Sequence, residues 1–139
     1  MKKRFLFLLP LLCLTGCEDG QKTLTCERID DLNEKEVVKL SYNKEGNKLL
    51  NAEFSEIYSI EEEYEKELMV PLLKDECKDM ANSKGISCQV KENKKSVSLI
   101  LKMNISKMTE EELEEIDIEE IMNYENAKKD FEEAEYICR

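Results

Sequence analysis

Cysteine is the residue type here with the most chemistry to offer, and its spacing divides six residues into two groups. Cys17 directly follows Leu14, Thr15 and Gly16, which close the apolar stretch Phe5 to Leu14. A small-residue site followed at once by cysteine is a lipobox. The thiol of such a cysteine takes a thioether-linked diacylglyceryl group, and the chain is then cut in front of it. Cys26, Cys77, Cys88 and Cys138 form the second group, while Cys13 sits in the stretch that such a cut discards.

The flanking residues fit that reading. Lys2, Lys3 and Arg4 give a positive start, and no acidic residue precedes Glu18. An apolar run of about ten residues suits a signal peptide and falls short of the roughly twenty needed to cross a bilayer. Pro10 within the run argues further against a membrane-spanning or buried helix. Residues 1–16 are therefore expected to be a lipoprotein signal peptide that is removed, and residues 17–23 a lipidated N-terminus with a short tether. Residues 24–139 form a single disulfide-stabilised domain in this reading. Two acyl chains on Cys17 give stable anchoring where one gives only reversible binding. The expected location is the cell membrane or an outer membrane, facing outside the cytoplasm.

Four cysteines in an exported chain point to disulfides, and four allow three connectivities. Cys26–Cys138 is favoured because it ties the start of the domain to its end. Cys77–Cys88 is favoured because the two flank a turn at Ser83 to Gly85, as a helix end and the next strand would. Zinc is the competing use of four thiols. With no histidine and no C-x-x-C pair, no metal site and no cofactor are expected.

Other chemistry is thinly marked. The commonest general base is missing with histidine, and no nucleophile elbow, phosphate-binding glycine loop or Ser-x-x-Lys set with its companions is visible. No catalytic residue is assigned, and the chain is not read as an enzyme; a carboxylate-based hydrolase is the remote alternative. Asp117, Glu119 and Glu120, near Glu114 and Glu115, are candidate oxygen ligands for a weak divalent-cation module. Calcium loops use a glycine at their sharp turn, and no glycine follows Gly85, so a solvated acidic face is the favoured reading. Tyr124 and Tyr136 are the aromatics that could line a groove, although core-edge packing suits them better.

The chain has 139 residues, with 21 basic against 32 acidic and a net charge of −11. Removing Lys2, Lys3 and Arg4 takes the basic count from 21 to 18 and the balance to −14. A surface this acidic disfavours nucleic acid and anionic lipid as partners. The expected contacts are the membrane, through the lipid on Cys17, and an unknown envelope protein, peptide or small ligand. After cleavage about 120 residues remain, enough for one domain.

The elements that must position these groups are legible from periodicity. Thr23 to Asp30, Val37 to Asn43 and Lys48 to Ser59 alternate as strands, with a compact turn at Lys44 to Asn47. A long helix is expected from Ser59 to Ser83, capped by Ser59 and Glu62 and carrying Ile60, Tyr64, Leu68, Leu72, Cys77 and Met80 on its apolar side. Pro71 should kink or split it, and Gly85 ends it. Ile86 to Glu92 and Ser96 to Ile105 form a second hairpin. A short helix follows Thr109 with Glu112 completing its capping box, Asp117 to Tyr124 is a loop with one helical turn, and a last helix covers Asn126 to Glu135. The fold class is α+β: an antiparallel sheet built from hairpins, β-β-β-α-β-β and then short helices, packed on one long amphipathic helix.

The lipobox ending in Cys17, the hairpin around Lys44 to Asn47, the strand Ser96 to Ile105 leading into acidic Met108 to Ile116, and the closing helix Asn126 to Tyr136 share one layout with a known group. In that layout the chain resembles the YehR-like bacterial lipoproteins, built on a domain of unknown function. The resemblance spans most of the chain after the signal and implies an α+β fold and surface attachment. It supplies no catalytic residue, and the four domain cysteines go beyond the simplest members of the family.

Overall fold

A computed structural model describes residues 20–30, 32, 34–116 and 118–139. Leu14, Thr15, Gly16 and Cys17 lie outside the described residues, as does Asp117. Five long strands and one short one are described: β1 (Lys22–Ile29), β2 (Lys35–Tyr42), β3 (Leu49–Ser59), β4 (Ile86–Asn93), β5 (Ser96–Asn104) and β6 (Ile137–Cys138). Three helices accompany them: α1 (Glu63–Met80), α2 (Glu110–Glu115) and α3 (Tyr124–Glu133). The strands make one antiparallel sheet in the order β4-β5-β3-β2-β1-β6. No helix of the described residues is long and apolar enough to cross a membrane.

Local chemistry explains the chain reversals. Between β2 and β3 the Asn43 side-chain oxygen accepts the backbone N–H groups of Asn47 and Lys48 at 3.1 and 3.2 Å, and Gly46 takes a positive φ of 73°. At α2 the expected capping box is present. Glu112 N donates to Thr109 Oγ1 and Thr109 N donates to Glu112 Oε2 at 2.8 Å. The bond from the Thr109 backbone, with others from Ser83 and the Thr109 side chain, holds the Glu112 carboxyl below its ordinary pKa.

The long helix differs from expectation in start, continuity and face. Ser59 ends β3 instead of capping α1; Glu62 is the cap, and Glu65 accepts the N–H groups of Glu61 and Glu62. Pro71 does not split the helix, which is assigned unbroken from Glu63 to Met80. It sits on the solvent side, where water can take up the carbonyl that its missing N–H leaves unbonded. Most consequentially, the buried residues are Val70, Leu73 and Cys77. Tyr64, Leu68 and Leu72 are instead 61%, 67% and 70% exposed. The bond from Cys77 to Cys88 in β4 turns the Cys77 side of the helix to the sheet, and at 100° per residue that sends Leu68 to the opposite side. α3 also begins earlier than expected. It is capped by Asn123, whose side chain accepts from Glu125 N and Asn126 N.

One helix is not the whole cover. α1 packs over β4 and β5, where Ile60, Val70, Leu73, Cys77, Val97 and Leu99 make one buried cluster. A second cluster lies over β1, β2 and β3, around Leu24, Leu40, Tyr42, Leu49, Ile118 and Ala127, and the C-terminal segment closes it. Tyr42 is its largest fully buried side chain. Its hydroxyl donates to the Ile121 carbonyl at 2.8 Å, and its ring meets Tyr124 edge-on at 5.7 Å between centroids. Both clusters lie on the same face of the sheet, and no described helix covers the other.

Gly85 stands where α1 hands over to β4. A Cβ placed there would lie 2.9 Å from the Asn104 carbonyl oxygen and closer still to Met108 Cγ. Gly85→Ala is therefore expected to lower unfolding free energy by about 1–3 kcal/mol, the usual cost of overpacking, measured by urea denaturation.

Candidate functional site

The four domain cysteines are joined as Cys26–Cys138 and Cys77–Cys88. One bond fastens a covering helix to the sheet, and the other joins two paired strands within it. Cys77–Cys88 holds the last turns of α1 on β4. Cys26–Cys138 sits within the pairing of β6 with β1, where Thr25 and Arg139 exchange backbone hydrogen bonds of 2.9 Å in both directions. Thiols consumed in this way bind no metal.

A polar row, which periodicity alone did not mark, crosses the covered face between the two apolar clusters. Arg28, Glu36 and Glu56 are successive cross-strand partners on β1, β2 and β3, and alternation points all three toward the helices. Arg28 Nη2 bonds both oxygens of Glu36 at 3.1 and 3.0 Å. The Tyr136 hydroxyl also donates to Glu36, and the Arg28 guanidinium lies 4.7 Å from the Tyr136 ring centroid. Tyr58 donates to Glu56 at 2.6 Å. Arg28 Nε is buried without a hydrogen-bond partner among the described residues.

Electrostatics follow from that crowding. Burial, and then the carboxylates of Asp30, Glu56 and Glu36, push the Glu34 carboxyl above its ordinary pKa. Burial first, and then the bond to Glu36, push the Tyr136 phenol up to about 12. Tyr58 is raised by burial and by its bond to Glu56. A small hollow of about 190 Å³ is bordered by Glu36, Phe54, Glu56 and Tyr136. Two carboxylates face each other across β2 and β3 here, the raw material of acid–base catalysis. Glu36, however, is held by Arg28 and Tyr136, and Glu56 by Tyr58. The row locks the C-terminal segment to the sheet.

The remaining sequence-assigned residues do not converge. Glu114 and Glu115 lie on α2, and Glu119 and Glu120 on the 3-10 turn Ile118–Ile121 that follows. Among the described residues no group of three His, Cys, Asp or Glu side chains could hold a metal ion. Tyr124 and Tyr136 pack against the second apolar cluster; Tyr136 meets Phe131 edge-on at 5.1 Å.

The uncovered face carries a larger hollow of about 500 Å³ at the end of the sheet where β1 begins. Thr23, Ser41, Asn51, Ser87 and Asn104 line it, together with Lys39, Lys84, Lys102, Lys107 and Glu53. Glu53 stands between two lysines, 3.6 Å from Lys39 and 3.4 Å from Lys102. The only signal for this hollow in the sequence is alternation, and alternation cannot say which residues of different strands come level.

Comparison with known proteins adds no relative: no family model, curated protein or solved structure matches the chain.

Two measurements check the site. In the chain-entropy account, removing Cys26–Cys138 (112 residues apart) costs about 5 kcal/mol and removing Cys77–Cys88 (11 apart) about 3. The paired Cys→Ser variants should therefore differ in that order in denaturant unfolding. The Tyr136 pKa is raised on folding from 10.0 to about 12, so folding favours the neutral phenol. Its stabilising contribution is fully present below about pH 10 and is lost as pH rises toward 12. Tyr136→Phe should flatten the alkaline loss of stability across that window.

Proposed function

We propose that this protein is a lipid-anchored lipoprotein of the cell envelope whose domain serves a non-enzymatic binding or structural accessory role. The observation that carries this reading is the pairing of all four domain cysteines. Persistent disulfides belong to oxidising compartments, which agrees with export through the signal peptide ending at Gly16. Lipid on Cys17 would hold the domain to the cell membrane or an outer membrane, with a tether of only a few residues before β1 starts at Lys22. Kinship with the YehR-like lipoproteins is part of the proposal and rests on layout alone.

The non-enzymatic reading draws support from the polar row. Glu36 and Glu56 are bound to Arg28, Tyr136 and Tyr58, so neither stands free as an acid or base.

Expression of the full chain with a labelled fatty acid tests the anchor. Label should appear in the wild-type protein and vanish in Cys17→Ser, with the variant left as a precursor or released from the membrane fraction. Equal labelling and processing of both would overturn the lipobox.

A further inference from the structure

We infer that the uncovered face of the sheet is a membrane-facing surface that rests on anionic phospholipid headgroups. This inference builds on the lipid anchor at Cys17 proposed above. Its first support is the sorting of charge by strand register. Partners across the sheet bring Ser87, Lys102, Glu53, Lys39 and Thr25 level in one row, with Arg139 bonded to Thr25 at its end. Two rows further along, Lys91 and Lys35 project from the same face. Five cations therefore share a face with two carboxylates, Glu27 and Glu53, in a chain whose net charge is −11. Both carboxylates are already neutralised: Glu27 by Lys35 and Arg139, Glu53 by Lys39 and Lys102.

Much of the excess acid lies off these strands, on α2, whose Leu113 packs against the covered-face cluster. α2 alone holds Glu110, Glu111, Glu112, Glu114 and Glu115. The molecule is thus basic on its open face despite its overall charge, and it is the local field that an adjacent surface meets.

The chemistry of the face selects among anions. Tyr42, Phe54 and Tyr58 all alternate to the helix side, which leaves the strands of the open face without an aromatic ring on which a base or sugar could stack. Beside the apolar Ile29, Val37, Ile57 and Ile100, the polar groups of this face are mainly ammonium groups among hydroxyls and amides, suited to phosphate oxygens. Lys84 and Lys107 add two exposed cations at the rim of the hollow, and neither is ion-paired to a described residue.

The anchor identifies which phosphates are within reach. Thr23 lines the hollow and is six residues from Cys17, a span of at most about 21 Å when fully extended. The basic hollow is thus at the tethered end of the sheet. An anionic bilayer attracts nearby lysines over a Debye length and repels the acidic helical layer, so the tethered domain lies with its open face down and α1, α2 and α3 outward.

Residue-resolved lysine acetylation of the full mature protein in nanodiscs tests this. Neutral phosphatidylcholine discs are compared with discs containing phosphatidylglycerol at low salt. Modification of Lys39, Lys84, Lys102 and Lys107 should fall about fivefold in the anionic discs, a protection that high salt removes. Lys78 and Lys129, on the helices, should react alike in both. Glu53→Gln frees two lysines and should increase the protection. Equal modification in both discs, with lipid mass present on the Cys17 peptide, overturns the orientation alone. Absence of lipid mass overturns the anchor and this inference together. Protection of the same lysines by free pyrophosphate, without a difference between discs, reassigns the hollow to a soluble anion and also overturns it.

Discussion

Strict alternation of side chains across β1 to β5 is the constraint on which the rest of this molecule depends. Every second residue of a strand faces the same way, and antiparallel register then aligns those residues across the whole sheet. Leu24, Leu40, Ala52 and Met103 come level in one row, and Cys26, Val38, Phe54, Leu101 and Cys88 in the next. That face must be covered, because exposing so many contiguous apolar side chains costs roughly 25 cal/mol for each Å² left in water. The opposite face mixes lysines, hydroxyls and amides, which tolerate water, with a smaller apolar set, Val37, Ile57 and Ile100. A slip of one residue in any strand would exchange the two sets.

Two separate elements meet the demand for cover, and this explains where the disulfides stand. Neither cover is large: α1 buries only Val70, Leu73 and Cys77 of its 18 residues, and α3 only Ala127. Cys77–Cys88 supplements a thin apolar contact where α1 meets the outer strand β4, and Cys26–Cys138 ties β1 to the edge strand β6 that follows α3. Between the covers lies the row Arg28, Glu36 and Glu56, where water reaches the sheet. Tyr136 bridges that gap, packing against the second cluster while its hydroxyl completes the ligation of Glu36.

Much of this layout was legible in the chain. Alternation marked the strands, the Thr109 and Glu112 pair marked the start of α2, and Cys77 and Cys88 flanked a turn short enough to suggest their bond. The helix face was misread for a physical reason. Ile60, Tyr64, Leu68 and Leu72 form a respectable apolar stripe, and a helix seen alone has nothing to choose between that stripe and the one through Val70, Leu73 and Cys77. The tertiary bond to Cys88 chooses. The Arg28–Glu36–Glu56 row was hidden because its members are up to 28 positions apart and meet only through register.

Net charge is where the difference between composition and arrangement bears most on function. A chain at −11 is expected to be repelled by any polyanion, and that expectation treats the charge as spread evenly. Register breaks the average. It places Lys39 and Lys102 on either side of Glu53, while the acidic run from Glu110 to Glu115 is carried on α2, outside the strands, where Leu113 packs against the covered-face cluster. The resulting charge asymmetry runs across the layers, from sheet face to helices. For a molecule free in solution, such asymmetry affects little beyond the direction of approach. For one held by the tether proposed at Cys17, it would set which face meets the surface, since a tether supplies proximity and leaves orientation to the weaker forces. In the proposed orientation, five cations set against Glu27 and Glu53 give the open face the opposite sign to the chain as a whole.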